Sequence, residues 1–345
     1  MNRRRLLRVG GGAVAASAVA GGALAYRFIP SAPADQLGTS GELAAELLAT
    51  VDPELRHLLQ VDYDHPVRQY HNRGGGGGGV NVARADLSRA QRNLVVELMH
   101  SGLSSTGRTI IPNQMLLKIP DAVFNNLLIC GEPESAECQI LFTGPHLNLR
   151  IGGANREGVA FGGPQVYGDQ WGNEAPGLPG NVYQPQFAAG MDLHADLSPE
   201  QRKASVLPRS PIQTRIEVQG ARGAFSGVPV AEMTSAQKQA VKRMIDLTFA
   251  PYPEADVAYA WACLEANGGL DALHASFYAD SAYAESEAGS EAYQTYRLEG
   301  PAAVFYFRGY PHVHAFFNVA MDGEAPLSVG EIVARNSVVR EGPSL

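Results

Sequence analysis

The sequence predicts an α+β fold: an antiparallel sheet, made of a hairpin and a meander, packed against several helices. Three observations predict it. Helix starts recur with the same capping signature. Strand-like runs fall in two blocks, each broken by Gly-Pro turns. Helices and strands are grouped in sequence instead of alternating strictly, which favours α+β over a wound α/β sheet.

The elements follow in chain order. Residues 35–59 are expected as an N-terminal helical segment, and residues 60–345 as one α+β domain. Gly74 to Gly79 is a low-complexity insertion within it; it lacks the Gly-Lys-Ser/Thr ending of a phosphate loop. Asp86-Leu87-Ser88-Arg89-Ala90-Gln91, Asp196-Leu197-Ser198-Pro199-Glu200-Gln201 and Glu232-Met233-Thr234-Ser235-Ala236-Gln237 each place Gln three residues after Ser or Thr. That is a capping box, in which the hydroxyl takes the N3 amide and the Gln reaches back to the N-cap amide. Leu94, Val95, Leu98 and Met99 continue the first helix at helical spacing, and Val241, Met244, Ile245 and Leu247 continue the third. A further helix covers 255–266 and stops at Gly268-Gly269. The recurrence hints at an internal duplication, which a capping signature alone does not establish. Gln139 to Thr143 and His146 to Ile151 flank Gly144-Pro145 as a hairpin. Thr295 to Leu298, Ala303 to Phe307 and His312 to Val319 form the meander, and Gly152 to Phe187 reads as a long loop.

Charged residues are only 18% of the 345-residue chain and hydrophobic ones 45%, so a large core is affordable in composition and disorder is excluded. Residues 1–34 read as a twin-arginine signal: Arg3-Arg4-Arg5-Leu6-Leu7-Arg8, a weakly apolar run to Ala25, then Ser31-Ala32-Pro33-Ala34 as a peptidase site. The expected partner is the twin-arginine export machinery, and the expected place is the periplasm or the exterior. Cleavage would leave no stable membrane insertion; an uncleaved anchor is the other reading, though the run is at the short limit for a span. The segment holds five arginines and no acid, so removing it takes the formal charge from −8 to −13. A body so acidic is unsuited to a phosphate backbone, and no nucleic-acid partner is expected. Three cysteines exclude a disulfide scaffold; Cys130 and Cys138 are open to a local bridge or to two buried thiols.

The chemistry sits in the histidines. There is no Gly-x-Ser-x-Gly elbow and no His-Glu-x-x-His helix. His312-Val313-His314 places two imidazoles on one face of a strand start. His146 opens another strand after a tight turn, on a polar face continued by Asn148 and Arg150. Three imidazoles suit zinc, copper, iron or nickel; a solvated strand edge is the bland alternative. His65 and His71 read as surface residues, His71 also as an extra ligand. His57, His100, His194 and His274 read as structural or exposed.

These pieces in this order resemble a family known as domain of unknown function 3500. Gly144-Pro145-His146-Leu147 stands where that family shows Gly-His-His-Leu. Tyr296-Arg297-Leu298-Glu299-Gly300-Pro301 is similar to its Tyr-Arg-Ile-Gln-Gly-Pro, and His312-Val313-His314 to its His-Ile-His. The Leu-Ser-x-x-Gln helices, with Leu103-Ser104 ending the first, also fit, over about residues 60 to 320. Pro145 replaces the first His of the pair, reducing four histidines to three. Asn318-Val319 and Met321-Asp322-Gly323 depart from the family's Arg-Asp and Asn-Asp-Tyr-Gly. The resemblance brings no activity; it implies only that His146, His312 and His314 fall within characteristic motifs.

The expectation is therefore an exported protein with one metal centre formed by His146, His312 and His314, holding copper or zinc. Whether it is an enzyme stays open: zinc points to hydrolysis, copper to oxidation or storage, each with a small-molecule substrate or ligand. The rival from another class is a non-catalytic binding module for a sugar or small organic ligand, gripped by Phe161, Tyr167, Trp171 and Tyr183 of the long loop.

Overall fold

A computed structural model describes residues 40–65, 68, 80–81, 85–116, 126–133, 135, 137–144, 146–152, 158–168, 183–213, 215–283, 292–293, 295–309 and 313–323. The signal segment, the glycine run, His71, Trp171 and His312 lie outside the described residues. Helices and a mostly antiparallel sheet make the α+β fold. Among the described residues no helix is long and apolar enough to cross a membrane.

The chain order repeats. The first half runs α1 (Ser40–Thr50), α2 (Pro53–Leu59), β1 (Gln60–Val61), β2 (Val80–Asn81), α3 (Arg89–Ser101), α4 (Ser105–Leu116), β3 (Asn126–Gly131), β4 (Cys138–Gly144), β5 (Leu147–Ile151) and β6 (Gln165–Gly168). The second runs α5 (Gln184–Asp196), α6 (Pro199–Ser205), β7 (Val206–Leu207), β8 (Val228–Pro229), α7 (Ser235–Phe249), α8 (Glu254–Ala266) and β9 (His274–Tyr278). It then continues, after a small ribbon of β10 (Ala282–Tyr283) and β11 (Ala292–Tyr293), with β12 (Thr295–Gly300), β13 (Ala303–Arg308) and β14 (His314–Val319). The pairings repeat too. β1 joins β3 in parallel and β7 joins β9 in parallel; β2 and β8 join the same two strands antiparallel. Each half then meanders through four strands, and β6 pairs antiparallel with β14 to fuse the halves into one sheet.

Local chemistry repeats at the same spacing. Ser88 and Gln91 close a capping box on α3, Thr234 and Gln237 on α7. The two cap glutamines reach equivalent carbonyls, Thr50 at 2.7 Å and Asp196 at 2.7 Å, the last residues of α1 and α5. The same number of residues separates Ser88 from Thr234, Gln91 from Gln237, Thr50 from Asp196 and Pro53 from Pro199. The third box, Ser198 with Gln201, caps α6 where Asp52 caps α2. The shared spacing and shared partners establish the duplication that the boxes alone leave open.

The sheet has two unlike faces. Leu127, Ile129, Phe142, Leu149, Phe305, Phe317 and their neighbours join the helices, including α1, in one continuous core. The opposite face carries Asn148, Arg150, Arg297, Glu299, His314 and Asn318, alternating with those apolar positions as a period of two requires. This polar face is also buried, because coil lies across it. Residues 215–226 cross the second half as a strap, with Ile216 packed on Val166, Val304, Tyr306 and Phe316. Sheet side chains hold its backbone: Arg297 donates to Arg215 O (2.6 Å), Asn318 to Ile216 O (3.1 Å) and Ser276 to Ser226 O (2.7 Å). In the first half Arg150 donates likewise to Arg68 O (2.6 Å). These buried donors are thus satisfied by the segments that bury them.

The segment expected as one long loop holds more structure than its composition suggests. It contains β6 and the start of α5, and Gln165 ties β6 to β5 by bonding both the amide and the carbonyl of Arg150. Gly, Pro, Asn and Gln hide a four-residue strand because so short a run gives no usable periodicity.

Candidate functional site

Three neighbouring strands bring two of the expected ligands together. Leu147 of β5 pairs with Tyr167 of β6, so His146 sits one step beyond, level with Gly168. His314 of β14 pairs with Gly168 from the other side. Adjacent strands lie about 4.8 Å apart, so side chains on β5 and β14 must lean over β6 to meet. Gly168 leaves that space open. A Cβ there would lie 2.2 Å from the carbonyl oxygen of Val313 and 3.4 Å from Cδ2 of His146. The glycine is required for the approach of the Val313 backbone, while the His146 ring would only come into ordinary contact with such a Cβ. The His146 and His314 ring centroids are 4.6 Å apart with planes inclined at 56°. From beneath, the Tyr183 hydroxyl donates to Gly168 O at 3.4 Å.

Polar groups surround the pair. Arg308 of β13 pairs with His314, and its Nη2 lies 3.0 Å from His314 Nδ1. Gln213, just before the strap, places Oε1 2.7 Å from the same nitrogen. Both ring nitrogens of His146 are shielded from solvent. Two imidazoles ligating one tetrahedral metal at about 2 Å place their ring centroids roughly 5 Å apart, so the observed 4.6 Å is somewhat closer than that. His312 lies outside the described residues. Among the described residues no group of three His, Cys, Asp or Glu could hold a metal ion, so a third ligand would have to come from elsewhere, as His312 was expected to provide.

The other candidates disperse. His57 and His65 line an open cleft of about 1210 Å³ beside β1, with Asp62, Asp64, Glu132 and Glu137. His100 is buried in α3, and burial, with Arg108 adding repulsion, lowers its pKa from 6.5 to about 4. His194 packs edge-on to Phe277 and Tyr293. His274 rests against Phe225. All three cysteines are free. Cys130 pairs with Gln139, so it shares that residue's polar face, while Cys138, one position earlier, packs on the helix-side core. Burial pushes Cys130 up to about 12 and Cys138 to about 11, so neither is a ready thiolate ligand. Of the four aromatics expected to grip a ligand, Phe161, Tyr167 and Tyr183 are buried in the helix-side core, and Trp171 lies outside the described residues.

Sequence reading passed over three contributors: Gly168, Gln213 and Arg308. Arg308 had a weak signal, as a cation closing an alternating strand at Gly309. Gly168 and Gln213 had none, because their meaning comes from neighbours far away in sequence.

A family model described as "Protein of unknown function (DUF3500)" matches residues 34–318. The match takes in His146, His312 and His314, and extends through α1 and α2 beyond the stretch expected from the motifs. No curated protein and no solved structure matches the chain.

Proposed function

The chain belongs to this DUF3500 family of proteins of unknown function, and from that premise we propose that it is an exported protein with a metal centre on His146, His312 and His314, taking copper or zinc. The observation that carries the reading is the approach of His146 and His314 to 4.6 Å across a glycine. The two half-buried rings meet over a glycine, and shielding the ring nitrogens of His146 from water costs free energy unless polar groups or a ligand offset it. Phe161, Tyr167 and Tyr183 are buried in the helix-side core and lend the binding-module reading no support, while Trp171, on which that reading centres, lies outside the described residues.

Zinc would supply Lewis acidity for hydrolysis, and copper one-electron redox chemistry or simple storage. The protein's own contribution is to hold two imidazoles from separate strands in a half-buried, polar setting. The twin-arginine route, which exports folded chains, suits a metal loaded before export.

Metal analysis of protein exported by its native route tests the centre. One equivalent is expected in the wild type and in His57→Ala. Loss is expected in His146→Ala, His312→Ala and His314→Ala. A wild-type protein without stoichiometric metal, or an unchanged content in His314→Ala, overturns it. Export is tested separately: replacing Arg3, Arg4 and Arg5 with lysine should retain the protein inside the cell, and undiminished export refutes the signal reading.

A further inference from the structure

One nitrogen of His314 faces two groups that ask opposite things of it. Gln213 Oε1 stands 2.7 Å from Nδ1, and Arg308 Nη2 stands 3.0 Å from the same atom. A neutral imidazole carries a proton on one nitrogen and a lone pair on the other. An amide oxygen can only accept, so the Gln213 contact needs the proton on Nδ1. A guanidinium can only donate, so the Arg308 contact needs the lone pair there. Turning the Gln213 amide over would make both neighbours donors and select the lone pair on Nδ1; the structure instead sets the amide oxygen against that nitrogen. The two contacts therefore specify opposite tautomers. Only the one favoured by Gln213 leaves a lone pair on Nε2.

We infer that Gln213 is a positioning residue that holds His314 with its proton on Nδ1, so that Nε2 is presented as a ligand, and that Arg308 works against it. The ligand role of Nε2 rests on the metal-centre reading; the tautomer does not. Two features favour Gln213. Its contact is the shorter. The chain on either side of Gln213 is also tied down: Ser210 N donates to both carboxylate oxygens of Asp280 at 3.0 Å, and Arg215 O accepts from Arg297 at 2.6 Å. Partners of this kind orient metal-bound imidazoles and set their tautomer.

The tautomer can be read without any metal, by ¹⁵N chemical shifts of histidine-labelled, metal-free protein at a pH where imidazole is neutral. His314 protonated on Nδ1 is expected in the wild type. Gln213→Leu leaves Arg308 as the claimant and should move the proton to Nε2, whereas Gln213→Glu, which still accepts, should keep it on Nδ1. Zinc or copper affinity should fall about 10- to 100-fold in Gln213→Leu, and Arg308→Met added to that variant should recover most of the loss. A residue that served only to support the fold would show no such rescue. Protonation on Nε2 in the wild type, or an unmoved proton in Gln213→Leu, overturns the inference; the wild-type reading alone decides it if the leucine variant does not fold. Protein with the Nδ1 proton but no metal affinity sinks the metal centre while sustaining the role of Gln213.

Discussion

Gly168 shapes the candidate site by what it lacks. Its missing Cβ admits the Val313 carbonyl oxygen, which would otherwise lie 2.2 Å away. Gly168→Ala should cost about 1–3 kcal/mol by overpacking, read from denaturant midpoints, and should also separate the rings and abolish metal retention. A fully stable, metal-retaining alanine variant would show that the glycine is incidental. His100 makes a second point at this scale. Its folded pKa is about 4 against 6.5 for the free group, because burial disfavours its charge. The unfolded chain therefore binds a proton that the folded chain refuses, so stability holds above pH 6.5 and falls with the slope of one proton towards pH 4. Urea titrations across that range should show the slope in the wild type and its loss in His100→Gln. His146 and His314 were legible because each opens a strand after a turn. Gly168 and Gln213 were not, since no local pattern announces which strand lies alongside.

Elements carried different amounts of signal. The capping boxes announced α3 and α7 within a residue or two, because the cap is local chemistry written in four positions. The Gly-Pro steps announced the turns of β4–β5 and β12–β13, whose registers close on Gly144 with Leu147 and Gly300 with Ala303. β3 and β9 were missed. Both of their faces are covered, by helices on one side and coil or polar packing on the other, so neither shows the alternation of a half-exposed strand. Equivalent caps should be worth similar amounts: Ser88→Ala and Thr234→Ala are each expected to cost about 1 kcal/mol in thermal or denaturant unfolding. The strap has no periodicity to read, yet it seals a buried face. Ile216→Ala should cost about 2–5 kcal/mol, and increased hydrogen exchange at 215–226 would show where the loss falls.

At the scale of the whole molecule, the core runs without a break from α1 to β14, through both halves. Unfolding should therefore be a single transition in which far-ultraviolet and near-ultraviolet signals coincide; two resolved steps would mean that the halves are energetically separate. Duplication was hinted at by recurring caps, but only the repeated pairings and the repeated glutamine contacts reveal its extent, since most equivalent positions have different residues. The halves have also diverged in chemistry: Ala302 stands in the β12–β13 turn where His146 stands in the β4–β5 turn, so the histidine pair is built once. The outer margins have a consequence of another kind. The edge of β3 is covered by β1 and β2, that of β9 by β7 and β8, and each of these four caps is only two residues long. One of each pair runs parallel and the other antiparallel, and Pro229 withholds a donor from one of them. Among the described residues, a foreign strand seeking a template meets two short, oppositely directed fragments with no continuous ladder to extend. A wide sheet is thereby kept from growing into its neighbours, and the protein can remain dispersed when crowded with copies of itself.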